Sequence, residues 1–365
     1  MLHRRNDMTD SPVVCGTATA LPPHRYDQRA LAGAAMAALP GLATQPEVLE
    51  RLFSRVGVDQ RHLALDAEAY ASLSGLQARN DAWLEAALPL ATQVLSDALS
   101  DAGLGPADVD ALWTTTITGL AVPSLDARVM NRLPFRPDVK RVPLFGLGCL
   151  AGAAGVARVA EYLRAYPHHV AVLLSVELCS LTVQSDDSSV ANIISSGLFG
   201  DGAAAVVIAG PAHPLGRAKV ASPSILDSTS YFFPQTERVM GWDIVDTGFR
   251  IVLSPDVPAL AREGLPPLVD SLLARHGLSR EDVTAWVAHP GGPAVMRAMA
   301  DGLQLREGAL ERTRRSLAEV GNLSSASVLF LLDNFRKCRR PAAGSHGVML
   351  AMGPAFSAEA VLLQW

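Results

Sequence analysis

The chain has 365 residues, 49% of them apolar and 18% charged, which is long enough for two or three domains with ample core and too apolar for extended disorder. A formal charge of −5, with Lys and Arg gathered only in short pairs such as Arg339-Arg340, excludes nucleic-acid binding as the expected role. Four cysteines at 15, 149, 179 and 338 lack C-x-x-C spacing and are too sparse for a disulfide framework, so a reducing cytoplasm is the expected compartment.

Residues 1–12 are expected to be a flexible start. Met1 to Asp10 is polar and lacks the apolar core of a signal peptide. No apolar run approaches the ~18 residues that a transmembrane segment needs. Val13 to Thr19 reads as a strand, Gln28 to Ala38 and Leu49 to Val56 as helices, 66–80 as loop or weak helix, and Trp83 to Ala102 as a long amphipathic helix closed by Gly103. Val109 to Thr116 is β-branched enough for a strand, Leu125 to Leu133 reads as helix and Val142 to Phe145 as strand.

There the chain turns sharply through Gly146, Gly148, Cys149 and Gly152, and an apolar stripe at helical spacing begins with Val156, Val159, Ala160 and Leu163. Cys149 thus opens a helix, where unpaired N–H groups and the helix dipole favour thiolate over thiol. Strands at His169 to Val176 and Ala203 to Ala209 flank a helix at Ala191 to Leu198. From Val220 the pattern restarts, with strands at 220–226 and 248–253, a helix from Val257 to Arg275 and a strand at Val283 to Ala288.

The restart echoes the first half. Gly103-Leu104, Asp108-Val109 and Ala111 match Gly277-Leu278, Asp282-Val283 and Ala285 at one offset of 174 residues. The same offset carries Cys149 to the neighbour of Asn322, in Gly321-Asn322-Leu323-Ser324-Ser325, which opens a helix with Val328, Leu331, Leu332 and Phe335 on its apolar face. The last strands, Gly347 to Met352 and Glu359 to Trp365, answer those at 169 and 203. Such a long repeat means two similar α/β halves, 13–219 and 220–365, and not a solenoid. A pseudo-dyad would bring the two helix starts to one site.

His289 ends a strand before Pro290-Gly291-Gly292-Pro293, a placement that suits a site residue. Cysteine supplies a nucleophile, histidine can pair with its thiolate, and an asparagine amide with the histidine N–H can hold a thioester oxygen. Cys149, His289 and Asn322 together therefore fit acyl transfer.

With these motifs, and with Leu198-Phe199-Gly200-Asp201-Gly202-Ala203, the chain resembles a bacterial type III polyketide synthase, a chalcone synthase-like member of the thiolase-like condensing enzymes. The resemblance spans most of 13–365. It implies an α/β, thiolase-like fold with duplicated halves whose mixed sheets are layered between helices (αβαβα), and a homodimer. It also implies an acyltransferase in which Cys149 takes a starter from an acyl-CoA, His289 and Asn322 bind malonyl-CoA, decarboxylation yields an enolate that attacks the acyl-cysteine, and the grown chain cyclises. Coenzyme A thioesters are substrates, and no metal or organic cofactor is required. Phe199 matches the aromatic gatekeeper between the coenzyme A tunnel and the cavity, and Arg55 matches a cation near the coenzyme A phosphates.

Departures from the plant pattern bear on the product. Leu52 and Asp59 stand where plant members carry lysine, Ala351-Met352-Gly353-Pro354-Ala355 replaces a Gly-Phe-Gly-Pro-Gly loop, Ile251 replaces a second gatekeeping Phe, and Trp242 replaces Gly. Ile117, Thr118, Val122, Thr182 and Ser324 are expected to line the rest of the cavity. The expected starter is a medium or long fatty acyl-CoA, giving an alkylpyrone or alkylresorcinol. The competing readings are an initiating ketoacyl-ACP synthase, which would need a carrier protein and condense once, and a non-catalytic thiolase-fold partner, which would have lost its nucleophile. A metal site has no ligand pair at the right spacing.

Overall fold

The computed structural model describes residues 11–38, 46–218 and 222–365. Residues 1–10 of the expected flexible start and the boundary expected at 219/220 lie outside the described residues. Ser11 and Pro12, counted in that start, are buried, and Pro12 O accepts from Ile225 N at 2.8 Å.

The strands are β1 (Val13–Ala20), β2 (His24–Asp27), β3 (Gln60–Leu63), β4 (Ala111–Thr115), β5 (Lys140–Leu144), β6 (Val170–Leu178), β7 (Asp201–Ala209), β8 (Ser224–Phe232), β9 (Met240–Val245), β10 (Gly248–Leu253), β11 (Val283–Ala288), β12 (His346–Gly353) and β13 (Ser357–Gln364). The helices are α1 (Gln28–Ala38), α2 (Pro46–Arg55), α3 (Gly75–Asp101), α4 (Leu125–Met130), α5 (Ala151–Ala165), α6 (Val190–Leu198), α7 (Pro214–Ala218), α8 (Val257–Ala274), α9 (Pro293–Leu303), α10 (Glu311–Val320) and α11 (Ser327–Lys337).

One nine-stranded sheet runs β11-β12-β13-β8-β1-β7-β6-β4-β5. Its two halves follow the repeat read from the sequence: β4 lies parallel to β6 as β11 lies parallel to β12, β7 is antiparallel to β6 as β13 is to β12, and β1 and β8 take the inner places. They join edge to edge through the single pair Val13 and Ser224. Strands β6 and β7 are buried along their whole length, as expected for strands covered on both faces.

Three apolar cores set the layers. Val156, Val159, Ala160 and Leu163 of α5 pack with Val328, Leu331 and Leu332 of α11 between the two half-sheets, touching Leu173 and Val206 on one side and Met349 and Val361 on the other. Trp83, Ala91, Val94 and Leu95 of α3 cover the outer face of the first half. Leu265, Val269 and Leu272 of α8, with Met296 and Met299 of α9, cover the outer face of the second. The order is helix, sheet, helices, sheet, helix, and it leaves the starts of α5 and α11 side by side at the centre.

Several elements differ from the sequence reading: β2, β3 and α10 were not expected, and the strand expected at 220–226 is β8 at Ser224–Phe232. Helix α3 starts at Gly75, well before Trp83, and runs through Pro89. Pro89 is exposed, so its missing N–H leaves only a solvent-side carbonyl unpaired, and the buried Trp83-to-Leu99 face outweighs that loss. The segment read as one strand at 248–253 is half of a hairpin, with Trp242 directly opposite Ile251. Gly241 and Asp243 break the alternation that would have marked β9.

Candidate active site

The two central helices begin alike. Short 3₁₀ turns, Gly148–Leu150 and Ser324–Ala326, lead into α5 and α11. They meet closely because Gly152 has no side chain: a Cβ there would stand 2.2 Å from Ser325 O and 2.7 Å from Val328 Cγ2. Gly148 has φ +51°, and its bare Cα lets Pro354 pack against the turn. Cys149 is held between these contacts, half-buried, with Sγ 3.6 Å from Ser324 Oγ, to which it donates.

Asn322 is buried, and its orientation is fixed from below. Oδ1 accepts from Ser324 N at 2.9 Å and Ser327 Oγ at 3.4 Å. An amide whose oxygen is occupied in this way offers its NH₂ elsewhere, and Asn322 lines the same cavity as Cys149. Its main chain is bridged to the residues around Phe199: Asn322 N donates to Leu198 O and Gly200 N donates to Asn322 O, each at 2.9 Å. Donor amide and aromatic side chain therefore share one rigid strip of backbone.

His289 follows β11 and is tied by its own N–H to Leu350 O at 2.8 Å. The ring is buried, and Nδ1 has no hydrogen-bond partner among the described residues, which leaves Nε2 to serve the cavity. Burial pushes the imidazole down to about 3. Burial likewise pushes the Cys149 thiol up to about 12; the Glu177 charge adds to this, and the Ser324 hydrogen bond opposes it. The thiolate expected from the helix start is thus outweighed by burial, which favours neutral thiol and neutral imidazole. A neutral imidazole is a proton acceptor, so this pair can act by general base catalysis.

Behind the sulfur lies Glu177, fully buried. Its carboxylate accepts from Ile117 N and Thr118 Oγ1 at 3.0 Å and from Ser325 Oγ. Burial nevertheless raises it to about 7. This cluster absorbs Thr118, which the sequence placed on the cavity wall. Thr182 is also turned away, bonding Cys179 O at 2.7 Å. Val122 stands 98% exposed on the surface of the chain and lines no part of its cavity.

The cavity measures about 600 Å³, within the usual range for a small-molecule site. Cys149, His289, Asn322 and Ser324 share it with the predicted Ile117, Phe199, Trp242 and Ile251. The Phe199 and Trp242 rings lie 6.3 Å apart. Arg55 of α2 and Arg297 of α9 are exposed and lie on its wall beside Leu52. Sequence reasoning missed Arg297; its only signal is its place one helical turn beyond Pro293.

The model for the C-terminal domain of chalcone and stilbene synthases matches residues 224–365, and that for FAE1/type III polyketide synthase-like proteins matches residues 42–226. The 1,3,6,8-tetrahydroxynaphthalene synthase of Streptomyces peucetius subsp. caesius is 49% identical over 96% of this chain and 93% of its own length. The crystal structure of PKS-I from the brown alga Ectocarpus siliculosus superposes with a TM-score of 0.91 at 28% identity, over 98% of this chain and 99% of that one. That of 1,3,6,8-tetrahydroxynaphthalene synthase from Streptomyces coelicolor A3(2) gives 0.90 at 29% identity, over 97% and 99%. With both halves matched in order and the duplicated fold shared, the chain belongs to the chalcone synthase-like type III polyketide synthases, acyltransferases that condense malonyl-CoA with loss of carbon dioxide.

Proposed function

We propose that Cys149 is the acyl carrier of this synthase and that His289 and Asn322 are the donors that activate malonyl-CoA. The observation that supports this is the convergence of all three on one cavity from separate elements, the α5 start, the end of β11 and the approach to α11. Sγ attacks the starter thioester carbonyl as its proton passes to His289; coenzyme A leaves as the thiolate and takes a proton from solvent, so the imidazolium keeps the N–H that donates in the next step and later returns it to the released sulfur. The malonyl thioester oxygen then receives hydrogen bonds from Asn322 Nδ2 and the imidazolium N–H. Loss of carbon dioxide leaves its electron pair in an enolate held by those donors. The enolate carbon attacks the acyl-Cys149 carbonyl, and the released sulfur is reprotonated. Arg55 and Arg297 flank the opening for coenzyme A phosphates, Arg297 adding a cation where Leu52 and Asp59 supply none.

Our reading of the product is an aromatic polyphenol built from malonyl-CoA alone. Relatives named 1,3,6,8-tetrahydroxynaphthalene synthase support it, and a naphthalene skeleton divides wholly into two-carbon units. The lining of Ile117, Ile194, Leu198, Trp242, Ile251 and Leu253 favours a second reading, the fatty acyl starter leading to an alkylpyrone or alkylresorcinol. A homodimer belongs to the same proposal. Among the described residues the outer edge of β5 has no partner strand, Phe145 beyond it is 50% exposed, and the loop carrying Val122 lies against it through Ser124 and Arg141.

The deciding experiment is an intact-mass and product scan with malonyl-CoA alone and with starters from acetyl- to stearoyl-CoA. A coloured naphthol from malonyl-CoA alone supports the first reading, and long-chain pyrones or resorcinols support the second. Acylation that survives Cys149→Ala would refute the assignment of the nucleophile.

A further inference from the structure

Arg61, on β3, is buried without a direct ion-pair partner; the charge that acts on it is that of buried Asp201, which is itself held by Ala64 N and Ser180. Arg61 is 4% exposed, and no carboxylate among the described residues comes within ion-pair distance of its guanidinium. A charge sealed from water is costly unless fully hydrogen-bonded, and here carbonyl groups supply most of the bonds. Nη1 donates to Ser196 O at 2.6 Å and to Phe199 O at 2.7 Å, while Nε donates to Gln28 Oε1 at 3.1 Å. Gln28, itself buried, donates from Nε2 to Gly197 O at 2.6 Å. Ser196 and Gly197 belong to the last turn of α6, whose carbonyls have no partner within the helix. One arginine and one glutamine thus gather the end of α6 and the carbonyl of Phe199.

The same arginine touches the other side of the strip. Its Cγ and Cδ lie 3.2 and 3.3 Å from where a Cβ on Gly321 would stand, so its stem fills the space under the residue before Asn322. Phe199 and Asn322 are joined by the two main-chain bonds through Leu198 and Gly200. Cys149 hangs from a different element, and nothing in the clamp reaches it.

We propose that Arg61, braced by Gln28, is a positioning residue that fixes the Phe199 gate and the Asn322 donor against the cavity without touching substrate. This rests on the reading of Asn322 as a donor to the malonyl thioester. Loosening the clamp displaces the donor and the gate together and spares the nucleophile.

The test compares two readouts on the full chain: carbon dioxide release from malonyl-CoA, and alkylation of Cys149 by iodoacetamide followed by intact mass. Arg61→Met should slow decarboxylation by about tenfold or more, since misplacement of even ~1 Å is felt strongly in the rate, while alkylation stays within about twofold of wild type. Arg61→Lys should recover part of the loss, because an ammonium keeps the charge without the planar fork. Gln28→Leu should cost decarboxylation about threefold, in keeping with loss of one brace, and it carries the test if Arg61→Met does not fold. A folded Arg61→Met chain that decarboxylates at the wild-type rate, or a proportionate fall in both readouts, would overturn the proposal. Failure of the underlying reading is separately visible as an Asn322→Ala chain that still decarboxylates malonyl-CoA normally, and that result would remove this inference with it.

Discussion

Gly152→Ala probes the contact that sets the two helix starts at their working distance. The added methyl would sit 2.2 Å from Ser325 O and 2.7 Å from Val328 Cγ2, and the first of these is main chain, which cannot rotate away. Relief needs a separation of roughly 1 Å between α5 and α11 at the point where Cys149 and Asn322 are mounted, since carbon and oxygen touch at about 3.2 Å or more. Overpacking of this kind costs about 1–3 kcal/mol, and the better helix propensity of alanine returns up to about 1 kcal/mol, so the melting temperature should fall by only a few degrees. Turnover should suffer far more, by about 100-fold, because a displacement near 1 Å spoils the geometry of attack. The assay pairs thermal unfolding with malonyl-CoA consumption. Gly33→Ala, where nothing lies within 4 Å, is the control and should leave turnover unchanged. A Gly152→Ala enzyme with wild-type turnover would refute the claim that this contact spaces the catalytic arms.

Other expectations follow from charge and burial. With the thiol raised to about 12 and the imidazole neutral, alkylation of free Cys149 by iodoacetamide should accelerate about tenfold per pH unit between 6 and 9; a fast rate that is flat over that range would show a standing ion pair instead. Arg297→Ala should raise KM for malonyl-CoA several-fold, on the order of 1 kcal/mol for one exposed phosphate contact, with kcat nearly unchanged; an unchanged KM would place the phosphates elsewhere. Burial holds the Glu177 proton up to about 7 in the folded chain, against 4.5 for an ordinary glutamic acid, so its contribution to stability is lost as pH rises across that interval, by about 3 kcal/mol in all. His289 acts in the opposite sense, losing stability as pH falls below 6.5 toward about 3. Denaturant unfolding of Glu177→Gln should therefore gain on wild type between pH 5 and 8, and an equal difference at both pH values would contradict the buried, protonated carboxyl.

The elements most legible in the sequence were those where local and global signals agree. The α5 stripe, the strand before His289 and the 174-residue echo placed Cys149, His289 and Asn322 around one cavity, and all three line it. The cavity walls were harder to read because a residue's side of the chain depends on packing partners that spacing alone does not show. Thr118 and Thr182 follow buried strands and could face either way; Glu177 and the Cys179 carbonyl, both hidden from any periodicity, draw them inward. Val122 sits in a loop, where no repeat assigns a direction. Arg297 looked like an ordinary exposed helix residue, and only the fold brings α9 to the opening beside α2.

The edge-to-edge seam between the half-sheets has a practical meaning for how this enzyme fails. The nucleophile belongs to one half and both donors to the other, while the strands of the two halves meet only around Val13 and Ser224, flanked by the bonds from Val14 N to Pro223 O and from Ile225 N to Pro12 O. What keeps the halves in line is the core that α5 and α11 share between both half-sheets, so a small slip there should disturb the alignment before either ladder is lost. Mild heat or denaturant should therefore silence the enzyme while its helical and strand signals remain intact, and cooling should restore activity without refolding. Catalysis in this architecture depends on alignment across that shared core, and should be lost earlier than either ladder.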